Sequence, residues 1–86
     1  MASYFQKFIN FFKDNYEETD KELIMGEMVF KELFFSNINP ERQNYSHVAR
    51  LFVHHGFLVM LSKARFIISL DKIRNFDGET YARKQQ

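Results

Sequence analysis

Residues 39–73 read NPERQNYSHVARLFVHHGFLVMLSKARFIISLDKI, and whether they hold one helix and a hairpin or two helices separates an α+β from an all-α chain. Asn39-Pro40 is a helix start signal: Asn is a good cap, and Pro at the first helical position loses no needed hydrogen bond. Tyr45, Val48, Ala49 and Phe52 then recur at helical spacing, with Leu51 beside them. Gly56 can take the left-handed conformation that ends a helix. His54 and His55 lie in the last turn, where positive charge is favoured. The spacing predicts a helix over Pro40 to His55; a break near Asn44, with Ser46 starting a new helix, is the alternative.

Beyond Gly56 the pattern changes. Phe66, Ile68 and Leu70 alternate with Ile67, Ser69 and Asp71, as in a strand. Phe57, Val59 and Leu61 would form its partner, with Ser62-Lys63-Ala64-Arg65 as the turn. That turn lacks the Gly or Asn of tight hairpins. A helix over the same residues would place Phe57, Met60, Leu61, Ala64, Ile67 and Ile68 on one face, and Met, Leu, Ala, Lys and Arg favour it. The glycine stop and the β-branched run favour the hairpin.

Working outward, Ser3 to about Asn15 reads as a first helix, capped by Ser3, with Phe5, Phe8, Ile9, Phe12 and Tyr16 at helical spacing. Thr19-Asp20-Lys21-Glu22 has the form of a capping box. A second helix is expected from about Asp20 to Phe35, apolar on most sides, with Glu27 and Lys31 paired at i,i+4. Asp77-Gly78 is a turn. Residues 1–78 are expected to form one domain, and 79–86 a polar, frayed C-terminal tail.

The expected fold class is therefore mainly α with a small β part (α+β): three helices followed by a short C-terminal β-hairpin, in a winged-helix-like order. The alternative is a four-helix, all-α chain. SHVARLFVHHGFL (residues 46–58) loosely resembles the recognition-helix region of winged-helix regulators. The resemblance covers thirteen residues and carries no family assignment.

Composition limits the function. Eighty-six residues with 45% hydrophobic side chains and eleven Phe suffice for one small, Phe-rich core. Without cysteine there is neither a disulfide framework nor a thiolate metal site. No segment reads as a secretory signal, and the longest apolar run, Phe57 to Leu61, is far below the roughly 20 residues that span a bilayer. A cytoplasmic location without membrane partners is the expectation. The abundance of Phe, Lys, Asn, Ile and Tyr matches AT-rich codons, as in small phage genomes. Net charge is +1, but residues 1–43 hold five basic and eight acidic side chains, and residues 44–86 hold seven and three. The positive half suits an acidic partner, and equally attraction between the two halves.

No arrangement of residues reads as catalytic. His47 and His54 share a helix face but stand about 10 Å apart along it, too far for one metal ion. Ser46 adjoins His47 without a nucleophile-elbow pattern. No Gly-rich phosphate loop is present. The expectation is a protein that is not an enzyme and uses no cofactor, no metal and no small-molecule substrate.

Two readings remain. In the first, the chain is a small interaction protein, a regulator or inhibitor, that self-associates as a homodimer through surplus aromatic side chains: Phe5, Phe8, Phe11, Phe12, Phe34 and Phe35. In the second, it is a winged-helix-like DNA-binding transcriptional regulator. Its contacts would come from His47, Arg50 and His54 on the third helix, from Lys63 and Arg65 on the hairpin, and from Lys72 and Arg74 beyond.

Overall fold

The computed structural model describes residues 3–76. The elements run α1 (Tyr4–Asn15), β1 (Glu22–Gly26), α2 (Glu27–Asn37), α3 (Arg42–His54), β2 (Leu58–Ser62), β3 (Arg65–Ser69) and α4 (Leu70–Arg74). The strands form one antiparallel sheet in the order β1-β3-β2, with β3 in the centre.

This architecture overturns the expected fold class in two places. The hairpin is not C-terminal, because α4 follows it directly. Residues 22–26, assigned above to the second helix, are instead a strand paired with β3. Leu23 lies opposite Ile68 and Met25 opposite Phe66, on the face turned to the core. The physical reason is long-range: β3 buries Phe66 and Ile68 and has two edges to satisfy, and ELIMG supplies the second edge. Pairing between residues far apart in the chain outweighs the helix propensity of Glu, Leu and Met. The four-helix alternative fails for the same reason, since the hairpin occupies residues 58–69. The Asp77-Gly78 turn and the 79–86 tail both lie outside the described residues.

The helix boundaries follow local chemistry. Ser3 caps α1, its hydroxyl accepting from the Gln6 amide at 3.1 Å. The helix α2 starts behind Gly26, and the Glu27 amide donates to the Ala64 carbonyl at 2.7 Å. That bond docks the hairpin turn on the first turn of α2. The Glu27–Lys31 ion pair closes at 2.9 Å. Asn39 does not cap α3 itself: its side-chain oxygen accepts from the Glu41 amide at 2.8 Å and from the Asn44 amide group at 3.1 Å. This turn around Pro40 delays the helix to Arg42, two residues past the expected start.

The other end of α3 is a Schellman motif. The Gly56 amide donates to the Val53 carbonyl at 3.0 Å, and the Phe57 amide to the Phe52 carbonyl at 2.9 Å. Gly56 has φ 75°. The accompanying apolar contact is Phe52 against Phe57, edge to face, with ring centroids 5.6 Å apart. In the hairpin, no described residue has positive φ, so the Lys63-Ala64 turn is not of the glycine-demanding type. A bulge between Met60 and Ser62 adjusts the strands instead.

One face of the sheet packs on the helices. Leu58, Phe66 and Ile68 are buried there with Phe5, Phe8, Ile9 and Phe12 of α1, Phe30 and Phe34 of α2, Val48 and Phe52 of α3, and Leu70 and Ile73 of α4. Phe8 is central, with ring centroids 4.8–5.3 Å from those of Phe12, Phe30, Phe34 and Phe52. Phe30 meets Phe66 edge to face at 5.6 Å and joins the helices to the sheet.

The left-handed conformation at Gly56 predicts the cost of a side chain there. Gly56→Ala should lower unfolding free energy by about 1–2 kcal/mol, and a Cβ would also stand 3.2 Å from the Lys72 ammonium. Urea denaturation checks this; an unchanged midpoint would show that the helix stop tolerates an L-residue.

Candidate nucleic-acid interface

The roll of α3 decides which of its side chains meet solvent. Val48 and Phe52 are buried and define the inner face. At 100° per residue, Gln43, His47, Arg50 and His54 form a stripe on the opposite side. All four are exposed. Arg42, Gln43, Ser46, His47 and Arg50 line a shallow open depression of about 350 Å³. A second groove of about 420 Å³ separates α2 from α3, lined by Met28, Lys31, Glu32, Phe35, Arg42, Tyr45 and Ser46. Burial of Tyr45 in this groove, aided by the Glu27 carboxylate, pushes its phenol pKa up to about 12.

No Asp or Glu occurs from Arg42 through Leu70. The exposed polar surface of α3 and the hairpin therefore contains no carboxylate, while Arg42, Arg50, Lys63 and Arg65 all reach solvent on it. The acidic residues Glu17, Glu18, Asp20 and Glu22 lie at the opposite end of the sheet from the turn. Glu22 pairs with Ser69 there, whereas Gly26 pairs with Arg65 at the turn end. The length of the strand separates the two ends by about 14 Å.

The residues singled out from sequence differ in exposure and partners. His47, Arg50 and His54 share the outward stripe, and Lys63 and Arg65 are exposed at the hairpin turn. Lys72 is exposed on α4, its ammonium beside Gly56. Arg74 serves the fold instead. Its guanidinium donates to the backbone carbonyls of Glu17, Glu18 and Asp20 and ties the α1–β1 loop to α4. Phe5, Phe8, Phe12 and Phe34 are at most 5% exposed and are used inside the chain's own core. Phe11 and Phe35 are half-buried against it. Most of these rings are thus packed within the chain's own core.

Sequence reasoning missed Arg42, Gln43 and Ser46 on the α3 face. The helical projection away from Val48 and Phe52 is the signal that could have found them. It also missed the apolar outer face of the sheet. Ile24, Ile67 and Val59 form one row across the three strands. Ile24 is 67% and Val59 51% exposed.

Among the described residues, no group of three or more His, Asp or Glu could hold a metal ion, and no helix is long and apolar enough to cross a membrane. Comparison with family models, curated proteins and solved structures returned no match to this chain.

His55 is turned inward from the stripe. Its ring stacks on Phe5 and on Phe57, each at 5.3 Å, and meets Phe76 edge to face at 5.4 Å. Burial, and then the neighbouring His54, lower its pKa from the usual 6.5. As pH falls, the unfolded chain takes up this proton before the folded chain does. The contribution to stability is complete above the unfolded pKa and is lost as pH falls from there through the folded pKa. His55→Phe keeps the stack and removes the proton site. The drop in melting temperature between about pH 7.5 and about pH 5 should be smaller in His55→Phe than in the parent. Equal drops in scanning calorimetry would assign the acid sensitivity elsewhere.

Proposed function

We propose that this protein acts by binding double-stranded DNA, as a regulator without catalytic activity. The observation that carries the reading is the outward stripe of α3, which presents Gln, His and Arg side chains opposite the core face. Two further features support it. The helices α2 and α3 are joined by four residues, 38–41, the length of a helix-turn-helix connection. The hairpin follows α3 after Gly56 and carries Lys63 and Arg65 at its turn.

In this reading α3 enters the major groove, whose width admits an α-helix, and α2 crosses the backbone behind it. Lys63 and Arg65 contact phosphates. B-form DNA is favoured over double-stranded RNA, because the A-form major groove is too narrow and deep for side chains to read.

A second reading rests on the outer face of the sheet. The row of exposed Ile24 and Val59 flanking the half-buried Ile67 favours a homodimer in which two copies cover these faces. Light scattering should then give twice the chain mass for the parent and a monomer for Ile24→Lys. A parent that stays monomeric at high concentration would remove this reading and leave DNA binding untouched.

Fluorescence anisotropy with a labelled duplex at low salt tests the first reading. Affinity should fall steeply with salt, and Lys63→Ala and Arg65→Ala should each reduce the slope of log K against log salt by about 1. The triple replacement of Arg50, Lys63 and Arg65 by Ala should abolish binding. Absence of duplex binding at low salt, or equal binding by the triple variant, would overturn the proposal.

A further inference from the structure

Given the duplex-binding reading, on which this inference rests, we infer that Gln43 and Arg50 are the residues that read bases, and that the protein prefers duplexes in which an adenine and a guanine lie about three base pairs apart. Sequence discrimination in the major groove comes mainly from planar side chains that make two hydrogen bonds to one base edge. Arg does this with guanine O6 and N7, and Gln or Asn with adenine N6 and N7. The outward stripe of α3 holds two such groups, Gln43 and Arg50, with His47 between them and His54 beyond. Both line the same open depression and both are exposed.

The other planar groups nearby are less available. Asn44 is held by hydrogen bonds to Asn39 and to the Glu41 carboxylate. Arg42 sits about 100° around the helix from Gln43, beside the α2–α3 groove that it also lines, which suits a phosphate contact. Among the described residues, no ion pair or side-chain hydrogen bond engages Gln43 or Arg50. Their forks meet DNA without first breaking an internal contact.

The spacing follows from helix geometry. Seven residues at 1.5 Å rise separate the two side chains by about 10.5 Å along the axis. Base pairs of B-form DNA repeat every roughly 3.4 Å. A helix lying along the groove therefore places Gln43 and Arg50 about three base-pair steps apart.

The experiment is selection from a library of randomised duplexes, with sequencing of the bound fraction for the parent, Gln43→Ala, Arg50→Ala and Arg50→Lys. The parent should enrich an A and a G about three base pairs apart, each by roughly tenfold or more over other bases. Gln43→Ala should flatten only the adenine position, and Arg50→Ala only the guanine position. Arg50→Lys keeps the charge but loses the two-pronged donor, so it should retain most overall affinity and still lose the guanine preference. All substituted side chains are exposed, and circular dichroism of each variant checks that the fold is retained. Duplex binding without these preferences, or preferences unchanged in the variants, would overturn this inference and leave duplex binding standing. Absence of duplex binding would overturn both.

Discussion

Burial of Phe52 governs how α3 sits on the rest of the chain. Its ring lies within 5.2–5.9 Å, centroid to centroid, of Phe5, Phe8, Phe12, Phe30 and Phe57. Those rings come from α1, from α2 and from the segment leading into β2. A helix can rotate about its axis at little backbone cost unless side chains lock it. Phe52, with Val48 one turn earlier, sets the roll of α3 against three elements at once. The surface of α3 is a consequence: once positions 48 and 52 face inward, positions 43, 47, 50 and 54 must face out. Removing a buried Phe costs about 3–5 kcal/mol, a large part of the stability of a small domain. The core and the candidate interface are thus two sides of one helix.

Charge is then sorted by topology. The acidic residues between α1 and β1 fall at the end of the sheet where β1 begins. Arg74 fastens that loop by binding its backbone carbonyls, while the carboxylates stay on the surface. The hairpin turn is at the other end, where β1 finishes. The antiparallel pairing of β1 with β3 therefore sets the Glu17–Glu22 carboxylates apart from Lys63 and Arg65, while Glu27, which follows β1 at the turn end, is paired with Lys31. A net charge near zero understates the field that a polyanion would meet at α3 and the hairpin.

Local signals are legible in the sequence wherever one residue's chemistry decides the outcome. Ser3 caps α1, Gly56 stops α3, and Glu27 pairs with Lys31 because each interaction links residues no more than five apart in the chain. The strand β1 is not legible. Its residues, ELIMG, are good helix formers apart from Ile and Gly, and they extend only because β3, far along the chain, offers an edge. With β1 extended, Gly26 is the junction at which α2 begins. The Phe residues mislead in a different way. Their number suggests a surplus, but the four helices of the described residues, packed on one sheet face, have interfaces enough to bury most of them. Apolar side chains also remain exposed on the sheet, and the pairing of Ile24 and Val59 with Ile67 on its outer face can be recognised only after the register is known.

The anchored hairpin also constrains how the two halves of the proposed interface would divide their work. The bond from the Glu27 amide to the Ala64 carbonyl holds the turn against α2, so the hairpin does not project as a free arm. Its reach beyond the sheet is limited to the Lys63 and Arg65 side chains. Long, flexible donors at such a place serve position and charge better than base discrimination. α3 is differently placed: its stripe is rigid at the backbone, fixed in roll by Phe52, and carries the planar groups of Gln43 and Arg50. Discrimination between sequences needs that rigidity, because a displaced fork loses one of its two hydrogen bonds. In the proposed complex, the same aromatic packing that lets so short a chain hold one fold therefore favours α3, rather than the hairpin, as the element that reads.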